Sequence, residues 1–81
     1  MPDYDVALWL RPPKGTSIPY RSEVVQAPDP LQAVLLLMHR YCLVEVGYAA
    51  AHLVGTAEIT RYYQVELFED EGGNLQGGYL S

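Results

Sequence analysis

Residues 25–33 read VQAPDPLQA and mark the point at which a strand pattern gives way to a helix pattern. Asp29 is a favoured N-cap residue, because its carboxylate can accept hydrogen bonds from the unpaired N–H groups of the first helical turn. Pro30 suits the first helical position, where its missing N–H costs nothing, and Gln32 at the third position can complete a capping box. The sequence therefore predicts that a helix begins at Pro30.

The predicted helix covers residues 30–41, with His39 and Arg40 in the last turn, where positive charge is favoured by the helix dipole. Leu36 and Leu37 fall outside its apolar stripe, and we expect them on a helix face that a single sheet does not cover. The stripe has the i, i+3, i+4, i+7 spacing of an amphipathic helix and consists of Leu31, Val34, Leu35, Met38, Tyr41 and Cys42.

Two strands are predicted before the helix. Residues 4–11 alternate, which places Tyr4, Val6, Leu8 and Leu10 on one face and Trp9 on the other. A polar loop at residues 13–17 leads into a second strand at residues 18–27, and the two strands form a wide hairpin. Both faces of the second strand are mixed, so its alternation does not determine which face lies inward.

Further segments follow the helix. The pattern of residues 43–48 indicates a strand, whereas the alanines that follow favour a helix; Gly47 and the strand patterns on both sides favour a strand over residues 43–55. Residues 59–69 alternate, which places Tyr63 and Val65 on one face and Tyr62 and Phe68 on the other. A turn at residues 70–74 then allows a weak edge strand at residues 75–80.

This order of elements predicts an α+β fold, in which a small antiparallel sheet of four strands, or five with the edge strand, carries one helix across one face. We expect a single domain over residues 1–81. A chain of this size buries only about 60% of its unfolded surface. Its single cysteine excludes an internal disulfide. Oligomerisation is therefore the expected source of additional stability.

Charge and hydropathy exclude several classes of partner. The net charge is −5, and the five basic residues are dispersed, so we expect no binding to nucleic acid, which requires clustered cations. The longest apolar run has six residues, whereas a membrane span needs about 20. The acidic first residues do not resemble a signal peptide. We therefore expect a cytoplasmic protein without a membrane partner.

No residue cluster indicates catalysis, a metal or a cofactor. His39 and Cys42 are neighbours on the helix at i, i+3, but the sequence supplies neither further metal ligands nor an oxyanion hole for them. His52 has no partner that the sequence identifies. The carboxylates at positions 66, 69, 70 and 71 lack the alternating spacing of a calcium loop and are typical of a solvated strand end and turn. We therefore expect a protein that is not an enzyme.

The aromatic residues are more informative. Trp9, Tyr62 and Phe68 are predicted on the sheet face opposite the helix. Such aromatics can form a stacking platform for RNA, a protein interface, or an ordinary partly exposed patch. The dispersed basic residues disfavour RNA, so we predict a protein interface that contains these three residues together with Leu36 and Leu37.

The sequence thus predicts a non-enzymatic protein–protein interaction module, a small subunit that forms a homo-oligomer or binds a larger protein. The alternative is an acidic inhibitor or antitoxin-like protein that blocks a basic site on its target. A strand-rich acidic chain with the junction at residues 25–33 is similar to HicB-like antitoxins, although the turn glycine expected before the helix is missing, and we assign no family. A third class, a small dimeric enzyme with a pocket between sheet and helix, would need a convergent polar set that the sequence does not show.

Overall fold

The computed structural model describes residues 1–12, 14–15 and 18–80, so three residues of the polar loop predicted at 13–17 lie outside the described residues. The α+β class, the strand character of residues 43–55 and the fifth strand are confirmed. The elements are β1 (Asp3–Trp9), β2 (Arg21–Gln26), α1 (Pro30–Arg40), β3 (Glu45–Leu53), β4 (Ile59–Glu69) and β5 (Leu75–Leu80).

The five strands form one sheet in the order β2-β1-β3-β4-β5, and every neighbouring pair is antiparallel. β3 is therefore the central strand, with two strands on each side. Because β1 lies between β2 and β3, the connection through α1 crosses over β1. The helix packs against all five strands on one side of the sheet. We call this side the helix-covered face and the opposite side the helix-free face.

The helix begins as predicted. An oxygen of the Asp29 carboxylate, Oδ1, accepts a hydrogen bond from the backbone N–H of Gln32 at 2.8 Å, and Pro30 occupies the first turn. The predicted capping box is wrong, because the Gln32 side chain instead donates through Nε2 to the carbonyl oxygen of Leu75 at 3.4 Å. This contact ties the first turn of the helix to the start of β5.

The hydrophobic core lies between α1 and the helix-covered face. β2 points Val25 inward, which settles the orientation that its mixed pattern left open. Leu10 does not join the core as its alternation predicted; it lies beyond the end of β1 and is 51% exposed. The buried residues of the strands and their flanks are Tyr4, Val6, Leu8, Val25, Ala27, Val46, Ala49, Ala51, Tyr62 and Val65.

The buried arc of the helix is wider than its apolar stripe. Leu37 is fully buried and Leu36 is partly buried, so the prediction that both lie on an uncovered helix face is wrong for Leu37. An 11-residue helix that contacts strands on both sides of the central one is covered over more than a narrow stripe. Cys42 was predicted within the stripe, but the helix ends at Arg40, and Cys42 is exposed with a left-handed φ of 56°.

The side-chain alternation of β4 inverts at Gln64. This residue has a φ of 54°, a conformation that is uncommon outside glycine, and it lies between two buried residues of opposite parity, Tyr62 and Val65. Tyr62 therefore lies on the helix-covered face and Tyr63 on the helix-free face, the reverse of the prediction. β3 inverts at the same level, at Gly47, so the two strands stay in register.

Candidate functional site

The helix-free face presents three rows of side chains across β1, β3 and β4. Directly opposed residues of antiparallel strands point to the same side of a sheet, so the strand register defines the rows. The aromatic row is Trp9, Tyr48 and Tyr63; the middle row is Ala7, Ala50 and Arg61; the third row is Asp5, His52 and Ile59.

The aromatic row is a continuous edge-to-face stack. The ring centroids of Trp9 and Tyr48 are 5.2 Å apart, those of Tyr48 and Tyr63 are 4.9 Å apart, and both pairs are inclined at 61°. This geometry is one that aromatic pairs prefer. Tyr48 is only 8% exposed although it points away from the core, because its neighbours cover its ring. The row is therefore a fixed ridge on the surface.

Aliphatic and aromatic side chains extend this ridge toward the sheet edges. Leu80 of β5 lies opposite Tyr63 and lengthens the aromatic row, while Ile59 ends the third row. Phe68 is 53% exposed further along β4. Among the described elements, none packs over this face, since α1 lies on the other side. The same face carries exposed charged residues such as Glu66, and an apolar patch with a polar rim is typical of an interaction site.

Two opposite charges lie on either side of the central strand. Asp5 is on β1 and Arg61 is on β4, in neighbouring rows, and both side chains are exposed. Within the described part of the chain, neither forms an ion pair. His52, between them in the third row, has a ring nitrogen, Nε2, 2.5 Å from the carbonyl oxygen of Thr56 in the turn after β3. The charges of Asp5 and Arg61 are thus available to a partner.

The five residues predicted as an interface do not form one surface. Trp9 and Phe68 lie on the helix-free face, as predicted. Leu36 lies on the other side of the molecule, beside a surface groove between α1 and β2. The prediction is wrong for Leu37 and Tyr62, which belong to the core, where no partner can reach them in the folded chain.

Tyr48 and Tyr63 were missed from the sequence. Two consecutive tyrosines in a strand must point to opposite faces, so one of Tyr62 and Tyr63 had to be exposed, but alternation selected the wrong one. The signal that was available is Gly47, since an isolated glycine within a strand pattern indicates an irregularity. Nothing in the sequence marks Gln64 as left-handed.

The Tyr62 side chain illustrates the difference between the two faces. Burial, and secondly the neighbouring Tyr79 hydroxyl, raise the pKa of Tyr62 to about 12. The two rings meet edge to face with centroids 4.6 Å apart. Tyr62 is therefore a core residue that stays neutral well above neutral pH.

At the helix C-terminus, the His39 ring contacts Glu69 and not Cys42. His39 Nε2 lies 2.7 Å from Glu69 Oε1, and both residues border an open groove of about 310 Å³ that also includes Cys42. Within the described residues, no hydrogen bond joins the Cys42 thiol to the His39 ring, and no group of three His, Cys, Asp or Glu side chains is placed to hold a metal ion. His39 and Glu69 thus form a polar contact on the surface between α1 and β4.

The Asp70 carboxylate stabilises the acidic turn after β4 by accepting hydrogen bonds within the turn. The Asp70 Oδ1 atom accepts hydrogen bonds from the backbone N–H groups of Gly72 and Asn74, each at 2.9 Å. The backbone hydrogen bond from Asn74 is the main reason that the pKa of Asp70 is lowered. This carboxylate is occupied by the turn and is a poor candidate for binding a cation.

Within the described chain, no helix combines the length and the apolar character needed to cross a bilayer. Comparisons with protein-family models, with curated proteins and with solved structures find no match to this chain. Function is therefore inferred from the residues of the chain itself.

Proposed function

We propose that this protein is a non-enzymatic protein–protein interaction module, a small subunit that binds another protein chain through its helix-free face. The observation that supports the proposal is the aromatic row of Trp9, Tyr48 and Tyr63, which points away from the core and is flanked by exposed apolar side chains. Aromatic residues are enriched at the centres of protein interfaces. We further propose a cytoplasmic location, which fits the free, exposed thiol of Cys42.

The row is suited to binding because it is already ordered. Each ring is held by its neighbour on a paired strand, so little side-chain freedom remains to be lost when a partner binds. Interface residues of this kind commonly account for most of the binding energy, and Trp and Tyr are prominent among them. Tyr63, at the β4 end of the aromatic row, is 43% exposed, whereas Tyr48 in the middle of the row is 8% exposed.

A stacking platform for RNA is less well supported. Arg61 is the one cation in the three described rows, and the Asp5 carboxylate lies in the adjacent row. A binding surface for a phosphate backbone needs several cations that follow the strand.

The proposal is tested by a charge placed in the aromatic row and by a matched charge elsewhere. Tyr63→Glu alters the row, whereas Val44→Glu alters a 71% exposed apolar residue that precedes β3 and lies off the face. The solution mass and the proteins retained by a tagged chain are compared among wild type and both variants. We expect Tyr63→Glu to lose either self-association or the retained partner protein, whichever the wild-type chain shows. We expect Val44→Glu to keep it. Equal behaviour of the two variants would contradict the proposal.

One observation favours an acidic inhibitor as the second candidate. Glu45 and Glu66 lie directly opposite each other on β3 and β4, and like charges in this position destabilise a sheet. A basic group of a target protein would relieve that repulsion. Under this reading the variant Glu45→Gln/Glu66→Gln loses the captured target, and wild-type capture weakens steeply as salt is raised. If the target is still captured by the double variant and at high salt, the acidic-inhibitor function is excluded.

A further inference from the structure

We propose that the occupant of the helix-free face is a second copy of this chain, packed face to face about a two-fold axis that runs along β3. This inference rests on the proposed function, because it names the partner for the same surface. Three observations support it: the position of β3 in the sheet, the placement of Asp5 and Arg61, and the size of the face.

The sheet is symmetric in strand number about β3, with β1 and β2 on one side and β4 and β5 on the other. A rotation by half a turn about the direction of β3 therefore places β1 of one copy over β4 of the second copy and keeps each row at its own level. Trp9 then meets Tyr63 of the second copy, and Tyr48 meets its own equivalent. Stacked sheets whose strand directions agree within about 30° are a common packing mode.

The same rotation pairs the charges. Arg61 on β4 comes to lie over β1 of the second copy, one row from Asp5, and the symmetry creates this pair twice. With sheets about 10 Å apart and rows about 6.6 Å apart, the two Cα atoms are roughly 12 Å apart, within reach of an extended arginine. A two-fold axis across the strands would instead place β4 over β4 and set Arg61 against its own copy. The two Asp5–Arg61 pairs therefore favour the axis along β3, while Glu45, which lies on β3 itself, comes to face its own equivalent. Two attractive pairs then oppose one repulsive pair.

The area of the face is close to what a stable pair needs. With strands about 4.8 Å apart and about 3.3 Å per residue, five strands of at least six residues present roughly 24 by 20 Å. Two such faces have a projected area of about 960 Å² in total, and the relief of the side chains adds to the area that contact would bury. A specific protein interface needs roughly 1,000 Å² or more. The projected area of the face is therefore close to this lower limit, and the relief of the side chains supplies the remainder.

The test exchanges the two charges between copies. The variants Arg61→Asp and Asp5→Arg are prepared separately, and each is expected to dissociate at about tenfold higher concentration or more, since both symmetric pairs become repulsive. An equimolar mixture is expected to regain the wild-type dissociation constant, because one copy then carries acids and the other bases at both positions. Glu71→Arg, in the turn after β4, is the control for charge reversal away from the face and is expected to change nothing.

Near-ultraviolet circular dichroism confirms that each variant is folded, which is expected because Asp5 and Arg61 are exposed. A wild-type chain that is monomeric overturns this inference, whereas the proposed function is decided separately by the Tyr63→Glu and Val44→Glu comparison. A dimer that Tyr63→Glu disrupts but that mixing fails to restore also overturns the two-fold arrangement and leaves the interaction face standing.

Discussion

The two faces of the sheet are built from the same strands but carry different kinds of side chain. The helix-covered face combines aliphatic side chains with small ones such as Ala49 and Ala51, which let the helix approach closely; the helix-free face carries an ordered aromatic row. The contrast is sharpest at two adjacent residues, Tyr62 at 6% exposure and Tyr63 at 43%. The inversion of side-chain alternation at Gln64, opposite Gly47, thus determines which tyrosine is buried in the core and which is exposed on the helix-free face.

The largest effect is expected where the helix meets the sheet. Leu37→Ala removes a fully buried side chain and should lower the free energy of unfolding by about 2–5 kcal/mol. Leu36→Ala, at a partly buried neighbour, is the control and should cost less than half as much. Urea denaturation of both variants measures the difference. Equal losses would show that the buried arc of α1 is not as wide as described.

The inversion itself is tested by Gly47→Ala. A Cβ atom at this position would lie 2.7 Å from the Leu10 carbonyl oxygen and 2.8 Å from the Arg11 Cα, both backbone atoms that cannot move independently. We expect a loss of about 2–3 kcal/mol, the upper range for forced overpacking. Gly78→Ala, where a Cβ has no atom within 4 Å, is the matched control and should be close to neutral. A neutral Gly47→Ala would mean that the close approach of β1 does not hold the inversion in place.

The pair of tyrosines predicts a difference at alkaline pH. Burial raises the pKa of Tyr62 from 10.0 to about 12. The contribution of the neutral Tyr62 side chain to the free energy of unfolding is therefore fully present below pH 10 and is lost as the pH rises toward 12. The loss should be on the order of 2 kcal/mol, given about 1.4 kcal/mol for each pKa unit. Tyr62→Phe should therefore retain more of its stability than wild type between pH 10 and 12. Tyr63→Phe serves as the control, and an equal response of the two variants would contradict the assignment of faces.

The smallest effect on stability is expected at the N-terminus of α1. Asp29→Ala removes the carboxylate that accepts the Gln32 N–H and should lower stability by about 1 kcal/mol. Asp29→Asn, which keeps an acceptor oxygen at this position, should recover most of the loss. An unchanged denaturation midpoint for Asp29→Ala would show that the cap contributes nothing in solution.

The sequence predicted correctly those features that depend on residues close together in the chain. The N-cap at Asp29, the helix that follows it, the bounds of β4 and β5, and the inward placement of Tyr4, Val6 and Leu8 all depend on capping chemistry or on simple alternation. These rules involve residues close in the chain, and tertiary packing reinforced them here.

The features that the sequence did not predict depend on contacts between distant segments. The left-handed Gln64 of β4 lies opposite Gly47 of β3, and Gly47 donates its N–H to the carbonyl oxygen of Leu10, just after β1, at 3.1 Å. Three separate segments of the chain therefore meet where the side-chain alternation inverts. The burial of Leu37 likewise follows from the number of strands under the helix. For the candidate site, Trp9 and Phe68 were identified from alternation, while Tyr48 and Tyr63 required the strand register.

Isotope-filtered nuclear magnetic resonance on a mixture of labelled and unlabelled chains tests the central claim most directly, because it needs no substitution. If two copies meet through their helix-free faces about β3, intermolecular Overhauser effects should join the Trp9 ring of one chain to the Tyr63 ring of another. A further set should join Tyr48 to its own equivalent, in a particle of twice the 9.1 kDa chain mass. A 9.1 kDa particle without intermolecular effects, or effects confined to the helix-covered side, would contradict it.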